Sequence, residues 1–182
     1  MKTFKEYLEN REVIEEGAIT TLTSLAVNSW IIYMTYKYGK KFVLNMANKY
    51  NLKSPDFQKL KQKFSSKIND PSIKSVENEF EKINDKYEEE LMYIYNAIEE
   101  KDWEEAKNEY KLLNKNKEIK QCIVEKIVDV CGEPPIYINS PGNETYRVIK
   151  KIMGQQFAIQ ITNAFSEKIK KEFKDFMGDY EG

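Results

Sequence analysis

The chain has 182 residues, 41% of them hydrophobic and 32% charged, with a formal net charge of −1. It is long enough to bury a core and too apolar for a disordered tail, and its total charge is too balanced for a nucleic-acid binder acting through bulk charge. There is no histidine, which excludes Ser-His-Asp and Cys-His nucleophilic schemes and any histidine-based zinc or iron site.

Only seven glycines and five prolines are present, so long uninterrupted elements are expected, and nearly all of them read as helix. Thr3 with Glu6 has the spacing of a capping box and opens a short charged helix bearing Phe4, Tyr7 and Leu8. Charge then stops: residues 18–36 are nineteen uncharged positions in a segment that stays helical to about Tyr50. That length is close to the minimum for a bilayer span. Trp30, Tyr33, Tyr36 and Tyr38 beside Lys37, Lys40 and Lys41 are what a membrane interface favours. Asn28, two serines and four threonines suit instead a central helix of a soluble bundle, and that is the expectation.

Ser54-Pro55 starts the next helix, through about Lys67, and Asn69-Asp70-Pro71-Ser72 breaks the chain again. Ile73, Val76, Phe80, Ile83, Tyr87, Leu91, Ile94 and Ile98 then recur at steps of three and four. This predicts one amphipathic helix of about seven turns. Glu90 occupies a place where a strict heptad wants an apolar residue, which favours a packed bundle over a free coiled coil. Asp102 with Glu105 caps a helix carrying Trp103, Ala106, Tyr110 and Leu113, and another runs from about Lys117 to Val130. "CGEPPIYINSPGNETY" is the one distinctly non-helical stretch, with a conceivable but partnerless strand at 136–139. Asn143 caps a helix to Met153, and a last helix from about Gln155 to Met177 buries Phe157, Ile161, Phe165, Ile169 and Phe173. The fold class is therefore all-α: a helical bundle with one long amphipathic helix and a short Pro/Gly-rich extended loop near residues 132–142.

Charge is segregated along the chain. Residues 37–67 hold nine lysines and one acid, a net of +8, whereas residues 68–111 hold fourteen acids and six lysines, a net of −8. The expectation is that the two stretches fold back on each other. The alternative is that the basic one, at Lys37, Lys40 and Lys41, meets DNA or anionic lipid. No phosphate-binding glycine loop, metal-ligand spacing or activated nucleophile is visible, and the clustered glutamates read as solvated helix faces. Cys122 and Cys131 lie nine residues apart, on opposite faces of one helix, and read as reduced, buried thiols. No enzyme, cofactor or metal is expected.

The opening "MKTFKEYLENREVIEEGAI" resembles the amino-terminal targeting peptides of internal head proteins from T-even-like bacteriophages. Lys2, Thr3, Phe4, Tyr7 and Leu8 stand where those leaders carry their opening motif. Ile14, Glu15, Glu16 and Gly17 match the prohead-protease signal of an aliphatic residue, any residue, Glu and a small residue. The match spans about a tenth of the chain, and the composition changes at the same bond. The resemblance implies a leader, residues 1–16, cut between Glu16 and Gly17, and a single helical domain over residues 17–182. Residues 1–16 hold three basic and five acidic groups, so 26 basic and 25 acidic residues remain, a net of +1 that does not make a DNA-condensing protein.

The same resemblance implies a non-enzymatic virion protein, made in the host cytoplasm, packaged in the phage head interior and available for ejection with the DNA. Its partners would be the phage scaffold or core, the prohead protease and packaged DNA. The sequence names no host target. Two alternatives belong to other classes: a membrane-associated helical protein anchored by residues 18–36, and a small interaction module that binds a partner through the 73–98 stripe.

Overall fold

The computed structural model describes residues 27–39, 42, 59, 62–63, 65–136 and 142–172, whose regular elements are all helices, with no strand among them. The first described helix, α1 (27–39), is apolar almost all round, and such a helix must be interior. Trp30, Ile31, Tyr33, Met34 and Tyr36 are all buried, and so is Thr35, whose hydroxyl donates to the Ile31 carbonyl at 2.7 Å. Asn28 faces solvent.

Local chemistry sets the later helix starts. The Asp70 carboxylate accepts the Ser72 amide at 2.9 Å, and Pro71 occupies the first turn of α2 (Pro71–Lys86). After Tyr87 comes α3 (Glu88–Glu99), whose first turn carries three glutamates against the positive end of the helix dipole. Asp102 caps α4 (Trp103–Leu112) through the Glu105 amide at 3.0 Å. Asn116 caps α5 (Lys117–Cys131) through the Ile119 amide at 2.9 Å, and Gly132 ends it in the left-handed conformation at φ 80°. Asn143 accepts the Tyr146 amide at 3.0 Å to open α6 (Glu144–Met153), while its own amide donates to the Pro134 carbonyl. Thr145 donates to the Glu133 carbonyl at 2.7 Å, a second tie across the same loop. Beyond Gly154 runs α7 (Gln155–Glu172).

The buried side chains of these helices meet in one core. At its middle lies α5, packed against α2, α3 and α6 and contributing Ile119, Cys122, Ile123, Val124, Ile127 and Val128. Chain neighbours α3 and α4 pack together, as do α6 and α7, and α4 also lies against α6. Into this frame α1 inserts Trp30, whose ring centroid lies 6.0 Å from that of Phe80 on α2 and 5.7 Å from that of Phe165 on α7.

The single long helix expected over 73–98 is two helices. Tyr87 leaves helical geometry at φ −108°, ψ 13°, although its amide still bonds the Ile83 carbonyl and its carbonyl still receives the Leu91 amide. Its side chain is tied to groups outside the helix. The Tyr87 hydroxyl is held by the Asn116 amide at 3.4 Å, where α5 begins, and the Lys86 ammonium sits over the Tyr87 ring. The apolar stripe itself is real and faces inward: Ile73, Phe80, Leu91, Ile94 and Ile98 are buried, with Ile83 and Tyr87 half-buried. It belongs to the protein's own core. In α7, Phe165 and Ile169 are buried, and Phe157 and Ile161 only half so. The helix start at Ser54-Pro55, the strand at 137–139, Phe173 and the centre of the Pro/Gly-rich loop lie outside the described residues.

Candidate functional site

Where α1 crosses α5, polar side chains collect inside an otherwise apolar contact. Spacing along α1 puts Tyr33 and Lys37 one turn apart on one face. Lys37 Nζ donates to the Tyr33 hydroxyl at 2.8 Å, and that hydroxyl donates to Glu125 Oε1 at 3.1 Å. The loop of contacts closes through the Lys37–Glu125 ion pair at 3.5 Å. Beside it, the Tyr38 side chain neighbours Asp129, one turn further along α5. Phe80 stacks under the Tyr33 ring, centroids 6.1 Å apart and planes 10° from parallel.

Burial governs the electrostatics. It raises the Glu125 carboxyl above the usual glutamate range, the attraction of Lys37 offsetting only part of the shift. The second carboxylate oxygen, Oε2, is buried without a hydrogen-bond partner among the described residues. Desolvation, reinforced by the neighbouring Glu125 charge, keeps Tyr33 protonated well beyond the ordinary phenol range, and Tyr38 behaves alike. Tyr33 therefore acts here as a hydrogen-bond donor to Glu125, and neither phenol as a nucleophile. The cluster fastens α1 to α5 through one chain of donors that ends on a half-satisfied carboxylate.

A second seam lies one turn earlier on α5. Tyr95 of α3 donates to Asn84 Oδ1 at 2.7 Å and lies beside the Cys122 thiol. Cys122 is buried and Cys131 partly so, both free. Burial pushes the first thiol up to about 12 and the second up to about 11, which leaves almost no thiolate at neutral pH. Among the described residues no three acidic or cysteine side chains converge closely enough to hold a metal ion.

The cleavage signal Ile14, Glu15, Glu16 and Gly17, the leader residues Lys2, Thr3, Phe4, Tyr7 and Leu8, and Lys40 and Lys41 all lie outside the described residues. Lys37 is described, and its ammonium is engaged by Glu125 and by the faces of Tyr33 and Tyr38, each 5.3 Å away. Lys63, from the same basic stretch, pairs with Glu172 at 3.9 Å, and Glu172 also accepts the Tyr36 hydroxyl. The acidic stretch in turn uses Glu99 toward Lys126 and Glu104 toward Lys151. Sequence reasoning missed Tyr33, Glu125, Tyr38 and Asp129 as a group. The one available signal was a glutamate inside the apolar run "QCIVEKIVDV", which demands an internal partner.

No helix among the described residues is long and apolar enough to cross a membrane. Comparison with protein-family models, with curated proteins and with solved structures finds no match to this chain.

Proposed function

We propose that the protein is a non-enzymatic virion protein of a T-even-like bacteriophage, carried into the head during assembly and matured by prohead-protease cleavage after Glu16. The observation that carries this reading is the coincidence of the opening motif, the Ile14-Glu15-Glu16-Gly17 signal and the change in composition at one bond. Residues 1–16 are then a targeting leader that docks on the scaffold or core, and residues 17–182 are the helical passenger. Cleavage near a terminus is physically accessible in a way that cleavage inside a packed helix is not.

A similar signal at Ile98-Glu99-Glu100 sits in α3, where Ile98 is fully buried, and it is followed by Lys101 where the pattern wants a small residue. An anchor at residues 18–36 would need Trp30, Ile31, Met34 and Tyr36 to face lipid, and these side chains are buried within the protein.

The test is mass spectrometry of the amino terminus of protein isolated from purified particles. A chain beginning at Gly17 is expected. Glu16→Gln or Gly17→Lys should leave full-length chain in the particles. Met1-initiated protein throughout finished wild-type virions would defeat the proposal.

A further inference from the structure

Helix α3 has two unlike sides. Inward, Leu91, Ile94, Ala97 and Ile98 are at most 4% exposed and fill the core. Outward, Glu89, Met92, Tyr93, Asn96 and Glu100 follow one another at helical spacing, and all are exposed. Met92 is 48% and Tyr93 63% exposed, although their helix has already met its packing needs on the other side. Two large apolar groups thus stand side by side in the middle of a stripe that ends in carboxylates.

The surrounding charge is one-sided. Glu88, Glu89, Glu90 and Glu100 have no ion-pair partner among the described residues, and the stretch 68–111 carries a net of −8. Of the nearby cations, Lys86 pairs with Glu118 at 3.3 Å and Lys126 with Glu99, and Lys101 follows Glu100 in the chain. The stripe from Glu89 to Glu100 extends about 16 Å along the helix.

We propose that this outward face of α3 is a docking surface for a cationic amphipathic helical segment of a partner protein. Charge complementarity selects the occupant. Lysine or arginine groups spaced about three helical turns apart meet the carboxylates at the two ends of the stripe, and aliphatic side chains between them cover Met92 and Tyr93. Methionine and tyrosine suit the middle of such a contact, because both offer large apolar area and tyrosine is a frequent binding hot spot. Glutamates at the rim speed encounter and turn away anionic surfaces, including lipid headgroups and DNA. The face lies wholly on the carboxyl side of the Glu16–Gly17 bond, so it is present before and after cleavage.

The experiment uses the full chain and a fluorescently labelled synthetic helical peptide with lysines bracketing a leucine stripe. A scrambled peptide of identical composition serves as the control. Binding is read by anisotropy at low and at raised salt. The striped peptide is expected to bind at least about tenfold more tightly than the scrambled one. Met92→Ser combined with Tyr93→Ser should remove about tenfold or more of that affinity. Glu89→Gln with Glu100→Gln should slow association and flatten its salt dependence. Leu112→Ser, which alters an 80% exposed side chain on α4, should change nothing. Equal binding of the two peptides, or an equal loss in Leu112→Ser, would reduce the effect to unspecific charge attraction and overturn the proposal. Peptide-free self-association abolished by Met92→Ser and Tyr93→Ser would assign the face to a second copy of the chain and overturn it as well.

Discussion

The Trp30 indole meets the Phe165 ring edge-on, with centroids 5.7 Å apart and planes at 75°. This contact joins the first described helix to the last, and both side chains are almost completely buried. Trp30→Ala or Phe165→Ala should each cost about 3–5 kcal/mol in urea unfolding. A double-mutant cycle should return a coupling of about 0.5–1.5 kcal/mol from the edge-to-face geometry.

Phe80 lies under both Trp30 and Tyr33. Phe80→Ala should therefore also fall in the range of about 3–5 kcal/mol. Half-buried Ile83, on the same stripe, should lose less on truncation. Glu88→Ala and Glu89→Ala, on the wet side, should each stay within about 0.5 kcal/mol. Equal destabilisation at Phe80 and Glu89 in denaturant titrations would refute the assignment of the stripe.

Glu125 should imprint a pH dependence on stability. Its carboxyl titrates higher in the folded protein than its ordinary value of 4.5, so the native state holds the proton more tightly than the unfolded chain does. The associated stability is fully present below about pH 4.5 and is lost as pH rises through the elevated folded value. Lys37 lowers that value, while Asp129 raises it and the Tyr33 hydroxyl donates to the charged form. Glu125→Gln should flatten the stability profile above about pH 4.5. Lys37→Met should steepen it, since the carboxylate then loses its counter-charge. Denaturation midpoints across pH for the three proteins check both signs.

The two thiols should be unreactive in the native protein and distinguishable from each other. Cys122 is buried on α5 and pushed up to about 12, whereas Cys131 is partly exposed and pushed up to about 11. Aromatic disulfide reagents at pH 8 should label Cys131 slowly and Cys122 more slowly still, with both reacting at once in denaturant. Rapid labelling of Cys122 in folded protein would show that the packing of α5 is wrong.

Much of the helix layout could be read locally because its signals are local. The break at Asn69-Asp70-Pro71-Ser72 falls where a helix begins, and Asp102 with Glu105 and Asn143, read as caps, both cap helices within three residues of themselves. The interruption at Tyr87 left no such trace. Ile83, Tyr87 and Leu91 keep a step of four straight through it, no glycine or proline marks it, and the Tyr87 hydroxyl is bonded to Asn116, 29 positions away. The Tyr33–Glu125 bond was hidden for the same reason, since its two ends are 92 residues apart and only the packing of α1 on α5 brings them together. Half-burial of Phe157 and Ile161 likewise depends on tertiary packing, which periodicity does not record. The proposed docking face shows the converse: a helical repeat of apolar residues located the inner side of α3, while Met92 and Tyr93 fell outside that repeat.

The long reach of α1 has a consequence for synthesis. Its anchors on other helices are Phe80, Glu125, Phe165 and Glu172, and the Tyr36–Glu172 bond alone spans 136 residues. On a ribosome adding about 5–20 residues per second, α1 emerges roughly 7–27 s before its last partner has been made. The pairs α3–α4 and α6–α7 close quickly between sequence neighbours, but α1 must wait with Trp30, Tyr33 and Tyr36 unburied. During that interval the nascent chain presents a sticky aromatic segment. Ribosome-bound chains halted before residue 165 should accordingly be the forms that holdase chaperones retain.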